Sequence, residues 1–283
     1  MRALQSQRPT STRAEVVARA AATSRQDLRC KQRVTSSLSY KTASDNGLVR
    51  HLDAEMKAVL QHGSLIVNFT APQYHDVNHC LPHLLHFIWT GSKLPSKYMK
   101  NLDTFANQLP NFEIWLWVDV QPLCKHSNVV YKQLGMLKFA TRDLLFGISS
   151  PVERGDVMLY EIVYQFGGIY VDIDMTCQKP FDELLDLSFV SHTFGVYNNI
   201  QNAMSSFPPR SHFLHYVISC VVENYHNFNA KSDTFLPNRT GPPFFTACFH
   251  QYNDNGVVMI DQDLLMGSRR DSYVHYNLDS SWQ

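Results

Sequence analysis

The segment GGIYVDIDMT, residues 167–176, places two aspartates one residue apart in an apolar stretch. Burying a lone carboxylate is costly unless an opposite charge or hydrogen bonds compensate it, and two neighbouring carboxylates also repel each other. If the segment is a strand, its period of two predicts that Asp172 and Asp174 lie on one face together with Tyr170. The fold must therefore bring something to this face that compensates two negative charges.

The residues before the pair predict where it lies in the fold. Ser150 suits the N-cap of a helix, Pro151 suits the first helical position, and Glu153 completes a capping-box pattern. Apolar residues then recur at helical spacing until Gly167 and Gly168, which are predicted to end the helix. A strand follows at once, so the two aspartates come at or near its carboxyl end. Open parallel sheets bind their ligands at that edge.

Two carboxylates at the end of a strand suit Mg²⁺ or Mn²⁺. These ions bind few protein carboxylates and share their coordination shell with water and phosphate. A divalent cation with a diphosphate behind it would offset the repulsion within the pair. The alternatives are a solvent-exposed acidic strand end, or one aspartate that caps a turn. The D-x-D pattern alone does not choose between them.

The order of the other elements predicts an α/β fold. An apolar run at 84–91, a helix after Pro95 at 96–109 and an alternating, half-buried run at 112–119 give a strand–helix–strand unit. Such units form parallel sheets that are covered by helices. Further elements are expected downstream: a helix near 211–226, a turn at TGPPFF, another short helix and a strand at 257–260.

Composition limits the classes of partner. The chain has 283 residues with 25 basic and 25 acidic side chains, so no global field attracts nucleic acid or an anionic membrane. The 6 cysteines include no C-x-x-C pair, which argues against a zinc site. We find no stretch that approaches the roughly 18 apolar residues needed to cross a bilayer, and therefore expect no transmembrane segment.

Two parts of the chain differ in composition. Residues 1–47 are basic and rich in Ser, Thr and Ala, and we interpret them as a flexible segment. A short basic amphipathic targeting helix is the alternative for this segment. A helix at 48–62 would begin the folded domain, which is expected to extend over residues 48–283.

Residues 154–185, RGDVMLYEIVYQFGGIYVDIDMTCQKPFDELL, resemble the central block of the DXD-containing sugar transferases of glycosyltransferase family 32. The block is also similar to the catalytic domain of the large clostridial glucosylating toxins. Three further segments match the family in order: HLLHFIWTGSKLP (83–95), TGPPFF (240–245) and VHYNLDSSW (274–282). The resemblance covers roughly residues 81–282.

The resemblance implies a GT-A-like fold, in which one Rossmann-like domain has a mostly parallel sheet flanked by helices. Such a domain binds a nucleotide-sugar together with Mn²⁺ or Mg²⁺. By the same resemblance, Asp174 ligates the metal directly, and Asp172 contacts the ribose or sugar and a metal-bound water. Asp156 would reach the ribose or the donor sugar from the first turn of its helix. These three carboxylates are the catalytic residues that the resemblance implies.

Four residues outside the central block complete the implied site. Trp89, at the end of the first strand, would stack on the nucleobase. Ser281 and Trp282 would close over the diphosphate, and His275 would ligate the metal or hold a phosphate. Each also has an ordinary structural explanation, such as a core tryptophan or a structural histidine.

The function implied by the resemblance is that of a metal-dependent, retaining hexosyltransferase. It would move a hexose from a UDP- or GDP-sugar to a glycan, lipid or protein acceptor, and the cation would stabilise the leaving diphosphate. The family that the chain resembles includes yeast Golgi mannosyltransferases, and these carry a membrane anchor that we do not find in this sequence. We therefore expect a cytoplasmic protein, or an effector secreted into a host cytosol, rather than a protein of the Golgi lumen.

Departures from the family pattern leave a second function open. Leu159 stands where family members carry an arginine that helps to hold the donor, and Arg154 is a candidate to replace it. The spacing from His275 to Ser281 is also one residue longer than in the family pattern. A non-catalytic descendant that binds a sugar or nucleotide is therefore an alternative.

A third function comes from another signature. D-x-D-x-T after an apolar strand is typical of Mg²⁺-dependent phosphohydrolases of the haloacid dehalogenase type, in which the first aspartate is the nucleophile and the second a general acid. That motif normally opens its fold, whereas residues 81–171 already form an apparent α/β domain ahead of it. Downstream, IDQD at 260–263 is a poor candidate for the paired acids that this family needs.

Overall fold

The computed structural model describes residues 81–120, 128–185, 187–193, 199–229, 237–252, 256–268 and 270–277. The basic segment 1–47, the helix expected at 48–62, Ser281 and Trp282 lie outside these ranges. The predictions made for them stay predictions.

The strands in the described ranges form one seven-stranded sheet and one two-stranded ribbon. The sheet has the order β3-β2-β1-β4-β7-β6-β8, and the ribbon pairs β5 with β9. The bounds are β1 (Leu84–Trp89), β2 (Glu113–Val118), β3 (Val129–Gln133), β4 (Gly168–Val171), β5 (Met175–Cys177), β6 (Phe189–His192), β7 (Ile200–Phe207), β8 (Val258–Asp261) and β9 (Val274–Tyr276).

Helices fill most of the connections between these strands. They are α1 (Ser96–Gln108), α2 (Arg142–Gly147), α3 (Pro151–Phe166), α4 (His212–Asn229), α5 (Pro237–Thr240), α6 (Pro242–Tyr252) and α7 (Gln262–Met266). Two short 3₁₀ helices lie at Leu134–Met136 and Asp182–Leu184. The predicted cap of α3 is present, because the Ser150 side chain accepts a hydrogen bond from the Glu153 backbone N–H.

The sheet is mostly parallel, as the sequence predicts. Strands β3, β2, β1 and β4 are parallel neighbours, β6 and β8 also pair in parallel, and β7 runs antiparallel between β4 and β6. The predicted strand–helix–strand unit is β1–α1–β2, with Leu85 opposite Ile114. The predicted α/β, GT-A-like class, with a mostly parallel sheet flanked by helices, is therefore confirmed.

Helices cover both faces of the sheet. Helix α1 packs Tyr98, Leu102 and Phe105 on one face, while α3, α4 and α6 bury the other. The expectation that β2 is half-buried holds at Trp115, which is partly exposed, and is wrong at Trp117. Trp117 is only 2% exposed, because the ring of Phe166 in α3 packs against it with centroids 5.3 Å apart. A parallel strand between two helical layers is buried on both sides.

A buried histidine joins three elements next to the predicted site. The Nδ1 of His86, in β1, accepts a hydrogen bond from the Trp117 indole N–H at 3.1 Å. Its Nε2–H therefore donates to the Gly167 carbonyl oxygen at 2.8 Å. Burial lowers the pKa of His86 to about 4, so the imidazole is neutral at pH 7. His86 thus links β1, β2 and the turn from which β4 starts.

Candidate active site

The two aspartates lie in a tight turn rather than on a strand. Strand β4 ends at Val171, and the Asp172 backbone N–H still donates to the Ala203 carbonyl oxygen of β7 at 2.9 Å. The chain then turns, with the Met175 N–H donating to the Asp172 carbonyl oxygen at 3.2 Å. The expectation of a strand that runs through Asp174 is therefore wrong. Strand alternation applies only as far as Asp172.

Side chains from two distant elements hold this turn. The Asn101 Nδ2 of α1 donates to the Ile173 carbonyl oxygen at 2.9 Å. The Asn277 Nδ2, just after β9, donates to the Asp174 carbonyl oxygen at 2.7 Å. Every backbone carbonyl of the turn therefore accepts a hydrogen bond, which fixes the directions of the two carboxylates.

The carboxylates of the turn are shielded from water. Asp174 is 2% exposed, and Asp172 is half-buried and accepts a hydrogen bond from the Tyr170 hydroxyl at 2.8 Å. Burial first, and the charge of Asp174 second, raise the pKa of Asp172 to about 8. The hydrogen bond from Tyr170 opposes this rise, and the charge of Asp156 adds to it. The pair thus shows the repulsion between like charges that the sequence predicts.

Asp156 reaches the same charge cluster from the second turn of α3. Its Oδ1 accepts a hydrogen bond from the Asn202 Nδ2 at 2.7 Å, and its Oδ2 accepts one from the Thr240 hydroxyl at 3.0 Å. Burial raises the pKa of Asp156 to about 7 against the effect of these two hydrogen bonds, and Glu153 adds a smaller rise. The fold therefore brings together the three carboxylates that the resemblance implies.

The chemistry of the Asp172–Asp174 pair fits a hard divalent cation. Buried carboxylates whose charges repel each other are compensated by such an ion, and Mg²⁺ and Mn²⁺ need few protein oxygens beside water and phosphate. Within the described ranges, no group of three His, Cys, Asp or Glu residues is arranged around one metal position. A site with two protein carboxylates would take its other ligands from solvent and substrate.

The structure places His275 in the β5–β9 ribbon, opposite Thr176. The next residue, Tyr276, has its pKa raised by burial and then by the charges of Asp172 and Asp174. Neighbouring residues of a strand point to opposite faces. The geometry therefore favours Tyr276 over His275 as the neighbour of the aspartates, and a metal-binding role for His275 stays a prediction.

Trp89 lies at the same edge of the sheet as the aspartates, because β1 and β4 are parallel neighbours. The Trp89 indole N–H donates to the Ser92 carbonyl oxygen at 3.0 Å, and its ring lies 5.1 Å from that of Tyr98. The Gly91 N–H also donates to Asp119 at 2.8 Å, which joins the ends of β1 and β2. Trp89 is thus held at the binding edge, and stacking on a nucleobase stays a prediction.

Leu159, which departs from the family pattern, belongs to the core. It is 3% exposed and packs in the cluster between α3, α4 and α6, so the missing arginine has no direct substitute at that position. Arg154 is half-buried in the first turn of α3, and its Nε makes no hydrogen bond to any part of the chain that the structure describes. That side chain remains a candidate partner for an anionic donor.

Four residues of the site escaped the sequence analysis: Asn101, Asn202, Thr240 and Asn277. Asn202 lies on β7, a polar strand with no clear alternation. Thr240 begins the segment TGPPFF, and Asn277 lies within VHYNLDSSW, so the family resemblance marked both places. The contacts that these residues make were not visible in the sequence.

Comparison with known protein families shows which class of protein this site resembles. Residues 95–191 match the family described as "Glycosyltransferase sugar-binding region containing DXD motif". The match includes Asp156, Asp172 and Asp174. This part of the chain is therefore similar to the sugar-binding region of the DXD glycosyltransferases, and the resemblance stated from the sequence is confirmed. The match also favours a transferase over the phosphohydrolase alternative.

The chain is also similar to individual proteins with named activities. The chain is 26% identical over 223 residues to the mannosyl phosphorylinositol ceramide synthase CSH1 of Saccharomyces cerevisiae, covering 76% of this chain and 56% of the relative. It is 23% identical over 207 residues to inositol phosphoceramide mannosyltransferase 1 of Schizosaccharomyces pombe, covering 71% and 62%. The chain thus spans little more than half the length of these relatives. Among solved structures, the PaToxG glycosyltransferase aligns with a TM-score of 0.48 at 17% identity, covering 62% of this chain and 71% of that one.

The expectation of a cytoplasmic protein or host-directed effector is wrong. Relatives from two yeasts that each match over 71% of this chain or more are named as ceramide mannosyltransferases or synthases. These named activities count against a host-directed cytosolic effector. Separately, no helix in the described ranges is both long and apolar enough to span a membrane.

Proposed function

We propose that the protein is a divalent-cation-dependent hexosyltransferase that uses a nucleotide diphosphate sugar as donor. Mannose is the first candidate for the sugar, and a ceramide lipid with an inositol phosphate headgroup is the first candidate for the acceptor. The named activities of the relatives support both choices. Retention of configuration at the transferred carbon belongs to the same proposal.

The observation that carries this proposal is the Asp172–Asp174 turn. It presents the buried carboxylate of Asp174 and the half-buried carboxylate of Asp172 at the carboxyl edge of the sheet. Asn101 and Asn277 hold the turn from both sides. A turn held in this way keeps two like charges close together, and a bound divalent cation would offset their repulsion. Repulsion between the two carboxylates lowers the stability of the free protein. Because the fold holds this destabilising arrangement in place, the arrangement supports a functional role.

Each carboxylate has a role in this proposal. Asp172 and Asp174 would hold the cation, which when bound would stabilise the charge that develops on the leaving diphosphate. Asp156 would accept hydrogen bonds from hydroxyl groups of the ribose or donor sugar and fix their orientation. Tyr170 keeps the Asp172 carboxylate in place through its hydroxyl. These groups position the donor, and no strong protein nucleophile is required.

The first test is thermal unfolding with Mn²⁺ and a panel of GDP- and UDP-sugars. A ligand at 100 times its dissociation constant adds about 2.7 kcal/mol of stability. We expect a shift that needs both Mn²⁺ and one nucleotide-sugar, followed by slow metal-dependent hydrolysis of that donor. The absence of any shift in a folded protein would refute the proposal.

Other outcomes distinguish the alternatives. Binding without turnover would indicate the non-catalytic descendant, which the buried Leu159 makes worth testing. Hydrolysis of a generic aryl phosphate would indicate a phosphohydrolase. For the acceptor, donor consumption should rise with vesicles that contain inositol phosphoceramide and stay unchanged with vesicles that contain ceramide alone.

A further inference from the structure

We propose that Arg239 and Thr240 form a clamp that positions the Asp156 carboxylate toward the donor sugar. The inference rests on the proposed function, in which Asp156 contacts the donor. It assigns a role to the corner between α5 and α6, which belongs to the TGPPFF segment that the family resemblance identified without a role. Arg239 and Thr240 act through Asp156 and are positioning residues.

The two oxygens of Asp156 are each held by a separate hydrogen-bond donor. The Thr240 hydroxyl donates to Oδ2 at 3.0 Å, and the Asn202 Nδ2 donates to Oδ1 at 2.7 Å. Thr240 is 0% exposed and Asn202 is 5% exposed, so water does not compete for either contact. A carboxylate with a fixed donor on each oxygen cannot rotate freely. Its remaining lone pairs therefore have fixed directions.

The backbone beside Thr240 is anchored to the same face of α3. The Tyr160 hydroxyl donates to the Thr240 carbonyl oxygen at 2.7 Å. Arg239 forms a two-point ion pair with Glu153, with Nε–Oε1 at 2.7 Å and Nη2–Oε2 at 3.0 Å. Residues 153, 156 and 160 lie on one stripe of the helix because they are three and four positions apart. Arg239 and Thr240 thus contact α3 at Asp156 and at one residue on either side of it, Glu153 and Tyr160.

The clamp itself rests on a rigid support. Helix α6 begins two residues after Thr240, and its Phe244 and Phe245 are fully buried. The ring of Phe245 stacks on Tyr160 with centroids 5.4 Å apart and an interplanar angle of 6°. The hydroxyl of Thr240 is therefore held by core packing rather than by the surface. Such support is what keeps a substrate-contacting group in one geometry.

A purely structural role would give a different result from a positioning role. If Thr240 only stabilised the fold, its removal would lower the free energy of unfolding and leave the kinetics of the folded enzyme unchanged. If it positions Asp156, the kinetics of the folded enzyme must change. Thr246, on α6, provides a matched comparison: it is 8% exposed, and its hydroxyl donates to Pro242 and accepts from the Ile200 N–H.

The experiment compares three variants of the full chain: Thr240→Val, Thr240→Ser and Thr246→Val. The readout is kcat and KM for Mn²⁺-dependent hydrolysis of the nucleotide-sugar, with unfolding measured in parallel. Loss of a hydrogen bond to a charged group predicts a kcat/KM about ten- to a hundredfold lower for Thr240→Val. Thr240→Ser keeps the hydroxyl and should stay close to the wild type. Thr246→Val should lose stability and keep kcat/KM.

A double variant tests whether Thr240 acts through Asp156. Thr240→Val should have no further effect on kcat/KM in an Asp156→Asn background, because its target is already altered. Unchanged kcat/KM in folded Thr240→Val would overturn the inference, and so would an equal loss in Thr246→Val or full additivity in the double variant. A wild-type protein that neither binds nor hydrolyses any nucleotide-sugar would instead overturn the proposed function, and the clamp's role with it.

Discussion

At the scale of single residues, burial has opposite effects on the two kinds of ionisable group near the site. It lowers the pKa of His86 to about 4 and raises the pKa values of Asp156 and Asp172 to about 7 and about 8. Both of the His86 ring nitrogens are hydrogen-bonded in the neutral form, so burial makes it a rigid structural joint. The aspartates instead need a positive charge to be stable when ionised. That difference separates the structural histidine from the aspartates to which the proposed function assigns a role.

The first prediction concerns Asp174. Asp174→Asn removes one charge from the pair, so the pKa of Asp172 should fall and the fold should be retained. Loss of a metal ligand should lower Mn²⁺-dependent donor hydrolysis by at least about a hundredfold, since a bound metal supplies several kcal/mol of charge stabilisation. The measurement is hydrolysis at saturating Mn²⁺, together with calorimetric titration of Mn²⁺. Asp143→Asn, at an exposed position on α2, serves as the control and should keep both. Full activity in folded Asp174→Asn would show that the metal assignment is incorrect.

The second prediction concerns His86 and pH. The unfolded chain protonates this imidazole below its ordinary pKa of 6.5, whereas the folded state stays neutral until about 4. The unfolded state therefore binds more protons in this window, and stability should fall as pH drops from 6.5 toward 4, by about 3 kcal/mol in total. Urea unfolding should show a smaller loss over this window in His86→Gln than in the wild type. His215→Gln, at an exposed position, should behave like the wild type; equal slopes for His86→Gln would contradict the assignment.

At the scale of elements, the sequence predicted the helices and strands whose signals lie within one short segment. Helix α3 and strand β4 were predicted because the Ser150 cap, the helical spacing and the two glycines are all contained within one segment. Strand β7 was missed because IQNAMSSF contains many polar residues and shows no alternation of polar and apolar positions. The strand is nevertheless buried on both faces. The D-x-D turn was predicted as strand because Asn101 and Asn277, which hold it, are remote in sequence.

The third prediction tests the turn between α3 and β4. Gly168 has φ 103°, and a Cβ there would lie 2.6 Å from the Leu84 carbonyl oxygen of β1. Gly168→Ala should therefore destabilise the protein by at least about 2 kcal/mol, through the left-handed backbone and the clash with β1. Gly155, inside α3, has open space around it, so Gly155→Ala should stabilise by about 0.5–1 kcal/mol. Chemical denaturation of both variants gives the comparison. Equal stabilities would mean that the turn is not constrained as described.

At the scale of the whole molecule, the site is assembled from segments that lie far apart in the chain. The Thr240–Asp156 hydrogen bond spans 84 positions, and the Asn277–Asp174 hydrogen bond spans 103. No local pattern indicates a contact between single polar side chains at such separations, so these contacts could not be predicted from the sequence. The resemblance marked the segments that contain Thr240 and Asn277 because a family pattern combines positions from the whole chain. The hydrogen bonds between these residues become visible only in the folded structure.

The last prediction follows from the charge of the assembled site. The pKa values of Asp156 and Asp172 in the folded state, about 7 and about 8, lie above the ordinary 3.8. The folded protein therefore holds more protons than the unfolded chain between these values, and the stability that these groups contribute is lost as pH rises toward 8. A divalent cation binds the ionised pair and reverses this loss. The increase in Tm caused by Mn²⁺ should thus grow as pH rises from about 5 to about 8.

Scanning calorimetry with and without Mn²⁺ across this range measures the effect directly. The difference between the two curves cancels the contribution of His86 and of every other group that the ion does not touch. Asp174→Asn should flatten the dependence, since the variant retains only one carboxylate of the pair. A Tm increase of equal size at both ends of the pH range in the wild type would mean that Mn²⁺ binds elsewhere. The repulsion built into the Asp172–Asp174 turn would then have no counterpart in metal binding.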